Sequence, residues 1–103
     1  MAKRIPEITD HRMHDGSSNF LSLPESKPWT LTRDHISRLN GAVTEDYLTD
    51  DVTEVWIDFR YKGYEFTINN QLGEFWFFVN DPACPETVLE VVAEHFAEFL
   101  NCS

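Results

Sequence analysis

Apolar and polar residues alternate most regularly between Val55 and Val79. Val55, Ile57 and Phe59 project to one side while Glu54, Trp56, Asp58 and Arg60 project to the other, the period-two pattern of a half-buried strand. Lys62-Gly63, set between Tyr61 and Tyr64, reads as a two-residue hairpin turn in which glycine supplies a positive φ. A second strand follows, with Tyr64, Phe66 and Ile68 on one face. Asn69-Asn70-Gln71-Leu72-Gly73 reads as the next loop, and Glu74 to Val79 as a third strand that sets Phe75, Phe77 and Val79 against Glu74, Trp76 and Phe78. The first turn places Phe59 opposite Phe66, Ile57 opposite Ile68 and Arg60 opposite Glu65. An even-length second loop places Ile68 opposite Phe75 and Phe66 opposite Phe77. One wholly apolar sheet face follows.

Beyond Asp81-Pro82 the period changes. Cys84-Pro85-Glu86 opens a helix that runs to about Leu100, with proline at its first turn and Glu86 near its positive end. Val88, Leu89, Val92, Phe96, Phe99 and Leu100 form its apolar side, and its length of roughly 22 Å matches a strand closely enough to cover the apolar sheet face. Ahead of the strands, a short helix is expected from Arg33 to Asn40, with Thr32 as N-cap, Leu31 and Ile36 as a hydrophobic staple and Gly41 as terminator. Residues 1–28, broken by Pro6, Pro24, Pro28 and Asp15-Gly16-Ser17-Ser18, read as a weakly structured arm from which Phe20 and Leu21 can pack on the body or form an edge strand. The expected architecture is α+β: arm 1–28, then a single domain 29–103 made of a short helix, a three-stranded antiparallel meander and a C-terminal amphipathic helix on one sheet face.

Length and composition support one core and no more. The chain has 103 residues, 42% of them hydrophobic and 14% aromatic. No stretch is apolar enough to span a bilayer and Met1 to Pro28 lacks the core of a secretory signal, so a cytoplasmic location is the expectation. Two cysteines, Cys84 and Cys102, lie at opposite ends of the last helix, roughly 25 Å apart, too far to form a disulfide. The net charge of −10 disfavours nucleic acid and anionic membranes as partners. It is also segregated, because all eight Lys and Arg residues precede Gly63.

Few groups suggest chemistry. Cys84 stands at a helix N-terminus, where the partial positive charge favours thiolate, or is a small buried residue. His11 and His14 beside Asp10 and Asp15 form a loose ligand cluster, or a solvated loop. Asp46, Asp50, Asp51 and Glu54 lack the alternating acids and central glycine of a calcium loop. His95 falls within the apolar arc of the last helix and reads as a hydrogen-bonded border residue. No phosphate-binding glycine loop, nucleophile elbow or zinc motif is present, so no catalytic residue, cofactor or metal is assigned.

Two surfaces point instead to contact. Glu86, Glu90, Glu94 and Glu98 recur every fourth residue along one ridge of the last helix, where like charges destabilise the helix mildly and attract a basic partner. The mixed sheet face carries Trp56, Trp76 and Phe78 beside Asp58, Arg60, Glu65 and Thr67. Its cover is the first helix and arm through Trp29, Leu31, Ile36 and Leu39, a second copy in a homodimer, or a ligand or protein partner. The sequence therefore favours a non-catalytic protein-binding domain of inhibitor, adaptor or immunity type, acting through its acidic surface and through Trp56, Arg60, Trp76 and Phe78. The alternative is a small ligand-binding domain or enzyme with a pocket between sheet and first helix, using Arg60, His35 or Cys84.

Overall fold

A computed structural model of the chain describes residues 8–14, 16–49, 55–71 and 73–100. The elements are β1 (His11–Arg12), β2 (Ser18–Pro24), α1 (Trp29–Ile36), β3 (Val43–Thr49), β4 (Val55–Tyr61), β5 (Tyr64–Gln71), β6 (Glu74–Val79) and α2 (Glu86–Leu100). The fold is α+β, but the sheet has six antiparallel strands in the order β1-β2-β6-β5-β4-β3, not the three expected. The additional strands come from the arm and from the acidic segment after Gly41.

Both additions escaped the alternation pattern for the same reason. In β2 the register shifts between Asn19 and Leu21, leaving Phe20 as an extra residue. The bulge turns the consecutive Phe20 and Leu21, with Leu23, into the core, so period two is broken where the strand is most apolar. The Asn19 amide holds this kink, donating to the carbonyls of Leu21 at 3.2 Å and Phe77 at 3.0 Å. In β3 a second register shift falls between Thr44 and Asp46, inside a run of acids with low strand propensity.

Along β4 the pairs Phe59–Phe66, Ile57–Ile68 and Arg60–Glu65 form as the hairpin turn requires. Lys62 and Gly63 both have positive φ, at 56° and 84°, which matches the twist of the flanking strands. The second loop is shorter than its composition suggests. β5 continues through Asn69, Asn70 and Gln71, and Gln71 pairs with Glu74. Ile68 therefore lies opposite Phe77 and Phe66 opposite Val79, two residues away from the expected partners. A displacement of two leaves every side chain on its face. Asn69 and Asn70 stay in the strand because their amides serve β4: Val55 N–H donates to Asn70 Oδ1 at 2.8 Å, and Asn69 Nδ2 donates to Val55 O at 2.9 Å.

The apolar sheet face carries a cluster of phenylalanines. Phe59 stacks on Phe66 with centroids 5.1 Å apart, and Phe20 meets Phe66 and Phe77 edge-on at 5.8 and 6.5 Å. From α2, Phe96 reaches both sides, 5.9 Å from Phe59 and 5.0 Å from Phe77. Val92, Ala93, Ala97 and Leu100 complete the buried side of α2, and Ser26 caps it by donating its hydroxyl to Leu100 O at 2.5 Å.

α1 starts four residues ahead of the expected boundary. Pro28 precedes it with φ −57° and ψ 147°, and its carbonyl accepts from the N–H groups of Leu31 and Thr32. Thr32, expected as the N-cap, lies inside the helix and is fully buried, while residues 37–41 follow as successive turns ending at Gly41 with φ 94°. α1 packs on the same side of the sheet as α2: Ile36 is buried in the core and His35 contacts Phe96. It does not cover the mixed sheet face, because its apolar residues match the core and its Leu31 stays exposed.

The Thr32 hydroxyl is buried without a hydrogen-bond partner among the described residues. Thr32→Val keeps the branched shape and removes the unsatisfied group, so it is expected to stabilise the fold by about 1 kcal/mol. A rise in the urea midpoint at unchanged slope checks this, and an unchanged or lower midpoint contradicts it.

Candidate functional site

Opposite the core, the sheet presents its outer face. The cross-strand register brings Trp56, Asn69 and Trp76 into one row, Asp58, Thr67 and Phe78 into the next, and Arg60 and Glu65 into a third. The first row explains an otherwise odd residue: Asn69 is fully buried although it lies on this face, between two tryptophans and bonded to Val55 O. Trp76 is half-buried and its indole N–H donates to Glu74 Oε1 at 3.3 Å. Trp56 remains 41% exposed.

The second row lies in an open cavity of about 740 Å³. Trp56, Asp58, Glu65, Thr67, Phe78 and Asn80 line its sheet side, and Met13, His14 and Ser17 close the other. That second wall is the turn between β1 and β2. Met13 N–H donates to Ser17 O at 2.9 Å and Gly16 N–H to Met13 O at 3.1 Å, with Gly16 at φ 90°. Asp10 ties β1 to β2 by accepting from Ser18 Oγ at 2.8 Å and from Arg12 Nε at 2.9 Å, and these two bonds hold its carboxyl below the ordinary value. Gly16 marks in the sequence where this turn bends, but nothing in the residue pattern predicts that it folds back over the sheet.

The electrostatics of the face are one-sided. Arg60 lies 3.2 Å from both Glu45 and Glu65, so two carboxylates share its charge. The only hydrogen bond to the Asp58 carboxylate among the described residues comes from Thr67 Oγ1, at 2.7 Å to Oδ1. Among the described residues, two carboxylates and no Lys or Arg line the cavity.

Of the residues singled out from sequence, Trp56, Arg60, Trp76 and Phe78 share this face, and Trp56 and Phe78 line the cavity. Glu86, Glu90, Glu94 and Glu98 do not join them. They lie on α2, which packs against the opposite sheet face, with Glu86 and Glu98 exposed and Glu90 and Glu94 half-buried.

Neither of the two cavities found among the described residues lies between the sheet and the first helix. Arg60 projects from the outer face, while α1 lies over the core face with His35, and Cys84 is buried beside a separate small cavity lined by Asp10, Glu86 and Leu89. Burial, reinforced by the charge of Asp81, pushes the Cys84 thiol up to about 11, so the helix end does not yield a thiolate. His11 and His14 are exposed, and no group of three metal ligands occurs among the described residues. The side chains of Asp46, Asp50, Asp51 and Glu54, like Asp15 and Cys102, lie outside the described residues.

His95 has a structural task that also occupies His35. The two rings stack with centroids 4.0 Å apart, and each Nε2 bonds the other residue's backbone carbonyl, at 3.0 and 2.8 Å. A carbonyl only accepts, so both rings carry their proton on Nε2. Phe99 stacks on His35 at 4.3 Å, and Lys27 sits 5.0 Å from the Phe99 ring. Comparison with protein-family models, with curated proteins and with solved structures finds no match for this chain.

Burial in this stack, reinforced by charge repulsion from His95 and Arg38 and only partly offset by the hydrogen bond to the His95 carbonyl and the charge of Glu98, holds His35 below its ordinary pKa. A lowered folded value means that the unfolded chain binds the proton more readily. The neutral stack therefore contributes its full stability above about pH 6.5, and that contribution is lost as pH falls below 6.5 toward the folded value. Urea midpoints at pH 7.5 and 5.5 are expected to drop further for the native protein than for His35→Phe. Equal drops contradict this role of the stack.

Proposed function

We propose that this protein is a non-catalytic protein-binding domain, of inhibitor, adaptor or immunity type, that engages a basic partner through the outer face of its sheet. The observation that carries this is the open cavity between Trp56 and Phe78 on the outer face of the sheet. Tryptophan contributes more to protein interfaces than its abundance suggests, and aromatic groups ringed by polar ones are the usual anatomy of a contact centre. A second copy is a poor occupant, since it brings another chain of net charge −10 against the first.

The acidic ridge of α2 has a separate part in this reading. It stands on the far side of the sheet, so it cannot touch the partner at the same patch. Its charge adds to the overall field that attracts a basic molecule and speeds encounter at low salt.

Immobilised native protein and Trp56→Ala, each checked for folding by circular dichroism, test the proposal by retention of cell proteins at about 50 mM and about 500 mM salt. A partner is expected on the native protein at low salt, released at high salt and absent from Trp56→Ala. Identical retention on both baits removes the outer face from the account.

A further inference from the structure

Within this cavity, the chemistry of one contact is specified more closely. Thr67 is the small residue at the centre of the second row, with Asp58 on one side and Phe78 on the other. It leaves a shallow floor between taller walls, Trp56 at one corner and Phe78 diagonally across, with Met13 and His14 facing them from the β1–β2 turn. Thr67 Oγ1 bonds Asp58 Oδ1 and so orients the carboxylate, while Oδ2 receives no hydrogen bond from any described residue. Glu65 stands at the rim, bonded to Arg60 through Oε1.

Each feature selects for a flat cation. Trp56 is 41% exposed, and an indole attracts a guanidinium through the negative face of its π-system and accommodates it by stacking. The open oxygen of Asp58 offers a charge-assisted hydrogen bond, stronger than one between neutral groups. Phe78 and Met13 suit the three-methylene stem that carries the charge. Arg60, on the same strand and face as Asp58, is already held by Glu45 and Glu65 at 3.2 Å each.

Resting on the proposed protein-binding role, we infer that the cavity receives an arginine side chain of the partner, its guanidinium on Asp58 and Trp56 and its stem against Phe78. Asp58 and Trp56 are then the specificity determinants, and the partner is recognised by an exposed arginine.

Fluorescence anisotropy with a labelled glycine-serine octapeptide containing two arginines tests this, against its twin carrying citrulline at both positions. Citrulline keeps the planar shape and removes the charge. The arginine peptide is expected to bind measurably, and the citrulline peptide more weakly by roughly fivefold to tenfold. Asp58→Asn, nearly isosteric, is expected to remove that difference, and raising salt from about 50 to about 300 mM to reduce it. Equal binding of the two peptides, with Trp56→Ala still abolishing both, overturns the arginine inference while leaving the outer face as a protein-binding surface. No binding of either peptide to the native protein also overturns it. The wider proposal fails separately, when Trp56→Ala retains the same cell proteins as the native protein.

Discussion

Everything in this fold depends on five phenylalanines meeting on one side of the sheet. Phe20, Phe59, Phe66 and Phe77 come from four different strands, and Phe96 descends from α2 to touch two of them. Truncating any one to alanine in such a core costs about 3 to 5 kcal/mol, a large share of the roughly 5 to 15 kcal/mol that holds a typical domain together. Because side chains alternate along a strand, fixing Phe59 inward fixes Trp56, Asp58 and Arg60 outward. The same rule sends Thr67 and Phe78 out once Phe66 and Phe77 are in. The composition of the outer face is thus a by-product of the core, and a strand slip of one residue would exchange the two.

That division also separates the two acidic surfaces. The core side of the sheet carries both helices, joined by the His35–His95 stack, and the glutamate ridge of α2 faces solvent beyond them. The outer side carries no helix among the described residues, only the β1–β2 turn held by Asp10, Arg12 and Ser18. An indole 41% exposed beside a carboxylate whose Oδ2 accepts no hydrogen bond from a described residue is the chemical consequence. The proposed recognition of a cationic partner rests on those two groups rather than on the net charge alone.

The sequence disclosed the part of the fold governed by strict alternation. Phe59 opposite Phe66 and Arg60 opposite Glu65 follow from one glycine turn and the period of a strand. It concealed β2 and β3, because each contains a bulge that breaks the period, and β2 also sits among prolines and serines typical of loops. It misplaced the second turn, since Asn69 and Asn70 resemble turn residues yet spend their amides on the backbone of Val55. It misplaced α1 because Thr32 is a good cap in isolation, whereas Pro28 and the burial of Ile36 set the actual boundary. At the candidate site, Trp56 and Phe78 were readable as outward-facing. The wall of Met13, His14 and Ser17 was not, since it arises from a turn returning across a sheet edge.

The sidedness of the sheet is accessible directly by nuclear Overhauser spectroscopy with labelled aromatic rings. Contacts from the Phe96 ring to Phe59 and Phe77 are expected, together with a Trp56 indole that shows none to α2 and is broadened by a soluble paramagnetic agent. A Trp56 indole in contact with Phe96 and protected from that agent would mean that the sheet turns its other face to the helices.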